Sequence, residues 1–301
     1  YDIMIPKIIH QIWFHDTFNK YINTKQRFSI EQTMDDKQNC ILNSEIPNKY
    51  KMYQFEWISL NKNWHYILWN KYSMTTFIEN YYPLVKKLYS SLSTIYKVKM
   101  FKYLVIYHFG GIYIDIHIRC LKPLDKLLAL NNKNLMFSEI PFTTNIERNT
   151  IDVINGYKKW YKIISDHIII SVKFHPLIKL ILERITWGIN NNKVNGYNFM
   201  NKMITITINE NINKYPDSII LPNYYLNPCY IYDVKCTHIP LSFSTQKESS
   251  YENDGKIDML KSSIIKILSY VYFGYMRNIT KTILFILILY IIKLAFSISF
   301  H

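Results

Sequence analysis

"YHFGGIYIDIH", Tyr107–His117, is the stretch on which the reading of this chain turns. The chain has only 7 glycines among 301 residues, yet Gly110 and Gly111 stand side by side here. They lie directly before an apolar run that carries Asp115 and His117. An apolar strand needs no paired glycine to begin, and a carboxylate two residues from an imidazole is no requirement of packing. Glycine admits backbone angles and close approaches that a Cβ forbids. The expectation is therefore that a ligand comes close to the backbone at the pair and is held at the strand end by Asp115 and His117.

Upstream, "STIYKVKMFKYLVIYHFGG" (Ser93–Gly111) repeats Ile95, Val98, Phe101, Tyr103, Leu104 and Ile106 at roughly helical spacing. It predicts a helix that the glycine pair ends. Downstream, "IYIDIHI" (Ile112–Ile118) alternates. It predicts a strand with Ile112, Ile114, Ile116 and Ile118 on one face, and Tyr113, Asp115 and His117 side by side on the other. "KIIHQIWF" (Lys7–Phe14) reads as a first buried strand rather than part of a secretory signal. Gln54–Asn70 reads as a helix, an Asn-containing turn and the strand "HYILW"; a short helix over Met74–Asn80 breaks at Pro83. "HPLIKLILERI" (His175–Ile185) is an amphipathic helix with proline in its first turn. Strands alternating with helices predict an α/β domain with a largely parallel sheet. Such sheets hold ligands at the carboxyl ends of their strands, where Asp115 and His117 fall. Asp and His together suit Mn2+, and Asp alone suits Mg2+. A D-x-H spacing by itself also arises on ordinary surfaces.

Composition bounds the rest. Hydrophobic residues at 49% and aromatics at 16% exclude a disordered chain. The formal net charge of +14 favours anionic partners such as nucleotide phosphates or acidic headgroups, and equally fits a simple lysine bias. No basic block with interleaved aromatics is present, so nucleic acid is not an expected partner. Cys40, Cys120, Cys229 and Cys236 form no CxxC pair and are expected to be reduced thiols, with Cys229–Cys236 the one open bridge. "SYENDGK" (Ser250–Lys256) reads as a polar linker, which divides the chain into a domain over 1–255 and a hydrophobic segment over 256–301. "TILFILILYII" (Thr282–Ile292) carries no charge and is apolar on all sides. It is expected to be a membrane-associated helix, a terminal helix packed on the domain being the alternative. Lys256, Lys261, Lys266, Arg277 and Lys281 precede the run, and no side of the membrane is assigned.

Three blocks in order, "IPKIIHQIWF", "NKNWHYILWN" and "KYLVIYHFGGIYIDIHIRCLKPLDKLL", resemble the DXD-containing sugar-transferase family. That family includes Golgi initiating mannosyltransferases and inositol-phosphoceramide mannosyltransferases, with the clostridial glucosylating toxins as distant relatives. The resemblance runs from about Ile5 to about Pro176. It implies a GT-A (Rossmann-like) fold, a UDP- or GDP-sugar donor, and a divalent cation, Mn2+ ahead of Mg2+, held at the DXD motif. It places Trp13 where an aromatic stacks on the base, a core Trp being the alternative. Asp115 matches the first Asp of the motif, and His117 stands for the second. Asp166 or His167, in "DHIIISVKFHP", takes the position of a donor-facing polar residue that is often Asn. Gly110 and Gly111 border the donor. The family helix carries Asp and, three residues on, Arg, both reaching the sugar; here the positions are Lys99 and Lys102. Two cations one turn apart need an anion between them, and the expectation is the donor diphosphate.

The implied activity is transfer of a hexose such as mannose to a glycan, lipid or protein hydroxyl. No catalytic nucleophile or base is legible. Two rivals stand beside it. One is a non-catalytic relative, which Lys99 and His117 favour; the other is a basic, membrane-anchored interaction module.

Overall fold

The computed structural model describes residues 4–14, 46–141, 148–149, 152, 156–191, 199–228 and 240–245. The chain divides into two compact units, Tyr1–Pro141 with Tyr161–Glu248, and Phe142–Trp160 with Ser249–His301. In the second, Arg148 pairs with Asp152 at 3.0 Å. The expected linker and hydrophobic segment, and Cys40, Cys229 and Cys236, lie outside the described residues. Among the described residues no helix is long and apolar enough to cross a membrane.

The first unit is mixed α/β, as expected. In chain order its elements are β1 (Ile8–Ile12), α1 (Asn48–Leu60), β2 (His65–Trp69), α2 (Lys71–Tyr81), α3 (Lys86–Ser91), α4 (Thr94–Phe109), β3 (Gly111–Ile114) and β4 (Arg119–Cys120). Then come α5 (Leu124–Asn131), β5 (Leu135–Glu139), β6 (Ile164–Ser171), α6 (Pro176–Asn190), α7 (Phe199–Asn211), β7 (Ser218–Leu221), α8 (Asn223–Leu226) and β8 (Ser244–Thr245). A six-stranded sheet runs β2-β1-β3-β6-β5-β7, and β4 pairs with β8 in a separate ribbon. The expected largely parallel sheet is corrected to a mixed one. β6 sits between β3 and β5 and is antiparallel to both, while β1–β2, β1–β3 and β5–β7 are parallel.

Local chemistry sets the boundaries. Asn70 and Ser73 form a reciprocal capping box at the start of α2. Pro83 opens a short 3-10 turn just after that helix. The His175 Nδ1 accepts from the Leu177 N–H at 3.1 Å, with Pro176 next in line, and so starts α6.

Helices cover both faces of the sheet. Tyr113, Leu135, Phe137 and Ile169 join one core with the apolar sides of α2, α4, α6 and α7. Ile9, Ile112, Ile114, Met136, Ile168 and Ile170 join the other with Trp57, Trp64 and Leu124. The alternation through "IYIDIHI" thus sorts two buried faces, with Tyr113 at 1% exposure and Ile112 at 0%. β3 is buried on both sides over Gly111–Ile114, and Asp115 and His117, just past its end, are partly exposed.

The glycine pair is also corrected. Gly110 has φ +67 and Gly111 φ +91, the left-handed range. A Cβ on Gly110 would stand 2.6 Å from the Lys173 backbone N, and one on Gly111 would stand 2.4 Å from the Ile8 carbonyl oxygen. The approach that demands glycine is that of the chain's own backbone, where β3 enters between β1 and β6.

Candidate metal centre

β3 ends at Ile114, three residues short of His117. The Asp115 N–H still bonds the His167 carbonyl at 2.8 Å, and then the Ile118 N–H turns back to the Asp115 carbonyl at 3.0 Å. The Trp57 indole N–H donates to the Ile118 carbonyl at 2.8 Å and pins the turn from the other core. A strand pleat was expected to align Asp115 with His117. A turn does so instead, because the chain must leave the sheet here to reach β4.

The Asp115 carboxylate is divided between two jobs. Its Oδ1 accepts from the Tyr113 hydroxyl at 2.6 Å and lies 3.6 Å from the Lys102 ammonium. Its Oδ2 faces the His167 ring, 2.6 Å from Nδ1. One ligand atom each from Asp115, His117 and His167 lies within 4.8 Å of the other two. The His117 and His167 rings meet edge to face with centroids 5.1 Å apart. Among the described residues, the buried His117 Nε2 has no hydrogen-bond partner. An orphaned imidazole nitrogen beside a carboxylate and a second imidazole fits a divalent cation.

Charge around the site is closed within the protein. Lys102 is buried; its Nζ donates to the Asp166 carbonyl at 2.8 Å and lies 3.2 Å from Asp166 Oδ2. Lys99 Nζ is 3.0 Å from the same Oδ2 and also donates to Asn201 Oδ1 on α7. The anion between the two lysines is therefore Asp166, which corrects the expectation that a donor diphosphate must separate them. Burial alone would raise the Asp115 carboxyl, but Lys102 and the His167 bond hold it well below the usual range. Burial opposes ionisation of Asp166 too, and Lys102 and Lys99 override it. Burial would lower Lys102, yet Asp115 and Asp166 raise it. Burial lowers His117 to about 4, against the upward pull of Asp115, so its ring is neutral and able to ligate.

The other expected site residues separate. Trp13 follows β1, its N–H bonding the Trp69 carbonyl at 2.8 Å. It lies at the same end of the parallel β1–β3 pair as Asp115, half-buried, with its ring 5.9 Å from that of Tyr50. Gly110 and Gly111 lie at the opposite end of β3 from Asp115. Asp166 and His167 both reach the cluster, on neighbouring positions of β6: Asp166 serves the lysines and His167 serves Asp115. Tyr113 and Asn201 went unnoticed in the sequence as site residues. Tyr113 shares the alternation with Asp115 and could have been found that way; Asn201, a third of the chain away from Lys99, carries no local signal. Of the cysteines only Cys120 is described; it is free and buried, and burial pushes its thiol up to about 12.

Residues 47–134 match the family model for the glycosyltransferase sugar-binding region containing DXD motif. The chain is 33% identical over 125 residues to inositol phosphoceramide mannosyltransferase 3 of Schizosaccharomyces pombe, covering 41% of this chain and 27% of that protein. It is 30% identical over 128 residues to mannosyl phosphorylinositol ceramide synthase CSH1 of Saccharomyces cerevisiae, covering 42% and 27%. The matches thus span about a quarter of these relatives. Similar solved structures include PaToxG glycosyltransferase (TM-score 0.40, 15% identity, 69% of this chain and 70% of that one). They also include mouse xyloside xylosyltransferase 1 (TM-score 0.45, 8% identity, 80% and 97%). The resemblance to DXD-containing sugar transferases holds.

Proposed function

We propose that the chain is a divalent-cation-dependent GT-A glycosyltransferase that moves a hexose from a UDP- or GDP-sugar to a glycan, lipid or protein hydroxyl. Mannose is the sugar favoured by the names of the curated relatives. The observation that carries the reading is the Asp115–His117–His167 cluster at the carboxyl end of β3, inside the matched sugar-transferase segment or touching it.

A cation bound there would neutralise charge developing on the leaving diphosphate. The chain's own residues prepare the place. Tyr113 and Lys102 hold Oδ1 of Asp115, so that Oδ2 faces the imidazoles. Trp13, at the same end of the sheet, offers a ring for the base. Asp115 and Asp166 balance Lys99 and Lys102 one for one, so the cation's charge is left for an anionic ligand to meet. Lys99 serves to position Asp166 rather than to bind phosphate. The same tie favours a second reading, a relative that binds the donor without transfer, because a position that carries a sugar-facing Asp in the resembled family is here engaged inside the protein.

Titration with UDP- and GDP-sugars, with and without Mn2+, tests this alongside release of the nucleoside diphosphate. Mn2+ should tighten binding at least about tenfold, as expected of a charge-assisted contact of roughly 1.5–3 kcal/mol, and Asp115→Ala should abolish the gain. Binding without turnover would establish the second reading. If no nucleotide-sugar binds in the presence of metal, the proposal is lost.

A further inference from the structure

We infer that His167, on β6, is a third protein ligand, and that the site binds a borderline transition cation such as Zn2+ or Co2+ without any donor nucleotide. This rests on the metal site of the reading above, and its test contains no donor, so that the two can fail separately.

The backbone fixes His167 in place. The Asp115 N–H bonds the His167 carbonyl at 2.8 Å, just past the Ile114–Ile168 pair, so the ring belongs to the site through the sheet itself. Its Nδ1 meets the one Asp115 oxygen that Tyr113 and Lys102 leave uncommitted. On the other side stands His117, with a buried Nε2 that no described residue satisfies. If His167 served only to donate a hydrogen bond to Asp115, that buried nitrogen would stay unpaired. A cation shared by the three residues answers all of these at once.

The ligand set also selects the cation. Two imidazoles and one carboxylate oxygen are borderline donors, the set found in catalytic zinc centres. Mg2+ requires oxygen ligands and keeps its waters, so a nitrogen-rich site serves it poorly. For a fixed set of nitrogen donors, affinity rises from Mn2+ to Co2+, and Zn2+ follows the copper maximum. A site of two protein ligands needs the donor's phosphates to complete it, whereas three protein ligands hold a cation alone. His167 is 31% exposed on its side chain, which leaves a way in.

The test uses the intact, untagged chain. Binding of Zn2+, Co2+, Mn2+ and Mg2+ is measured by calorimetry, and cobalt ligation by visible absorption. Zn2+ and Co2+ should bind more tightly than Mn2+, with Mg2+ weakest. His167→Ala and His117→Ala should each weaken Co2+ binding at least about tenfold and alter the ligand-field bands. His167→Gln keeps an N–H for Asp115, so a lasting loss in this variant identifies a ligand. Thermal unfolding confirms that each variant folds. The inference is overturned by metal binding that appears only after a nucleotide-sugar is added, by full recovery in His167→Gln, or by variants that bind as the parent does.

Discussion

Two imidazoles with a buried nitrogen flank β3, and they have opposite fates. His10, on the neighbouring strand β1, has both nitrogens occupied. The Trp69 indole N–H donates to its Nδ1 at 3.2 Å, so its Nε2–H donates to the Gly110 carbonyl at 3.0 Å. His117, past the far end of β3, has a buried Nε2 with no partner among the described residues. Burial lowers both to about 4. At the glycine end Lys173, Pro6 and Ile8 crowd the two glycines, and the histidine belongs to the core. At the aspartate end, side chains with metal-ligating atoms face one another and one nitrogen is left over. A buried histidine is thus no sign of function until its two nitrogens are accounted for.

The largest effect should come from the aspartate end. Lys102→Met removes the cation shared by two buried carboxylates, and breaking such a pair costs about 3–5 kcal/mol. The sign at acid pH follows. With Lys102 present, Asp115 and Asp166 titrate below the ordinary carboxylate value, so their contribution is complete above it and fades as pH falls through the lowered values. Without Lys102, burial pushes Asp115 upward and acid unfolding should begin at higher pH. Denaturant melts across pH measure both; a variant within about 1 kcal/mol of the parent at neutral pH would mean the cluster is not closed as described.

At the glycine end, Gly111→Ala should cost about 3 kcal/mol, from positive-φ strain plus the clash with Ile8. Chemical denaturation reads the loss. A fold that accepts the alanine unchanged would show that β1 and β3 do not approach as closely as described.

His10 supplies the smallest effect, spread over pH. Its folded value near 4 lies below the ordinary 6.5, so the unfolded chain binds the extra proton between them. Stability contributed by neutral His10 is whole above about 6.5 and declines towards 4, by at most about 3 kcal/mol. His10→Asn should flatten that slope in unfolding midpoints measured from pH 4 to 7. An unchanged slope would place the titration elsewhere.

Much of the architecture was legible because it is local. Helical spacing located α4, and the Asn-containing turn before "HYILW" located β2, since apolar period and turn chemistry depend on near neighbours. The length of β3 was overread because alternation continues through Ile116 and Ile118 although the backbone has already turned. The antiparallel β6 was not legible, since strand direction depends on which partners meet across the sheet.

Sequence alone singled out Asp115 and His117 as candidates and found the resemblance to DXD-containing sugar transferases. Residue type and short spacing are properties of the chain itself. Tertiary structure decided what surrounds them. It gave the glycine pair to Ile8 and Lys173, set Asp166 between Lys99 and Lys102, and brought His167 to Asp115 across 52 positions of sequence. Each depends on a close contact between segments far apart in the chain. Such contacts carry no signature in either segment, because charge and hydrogen-bond partners act through space rather than along the backbone.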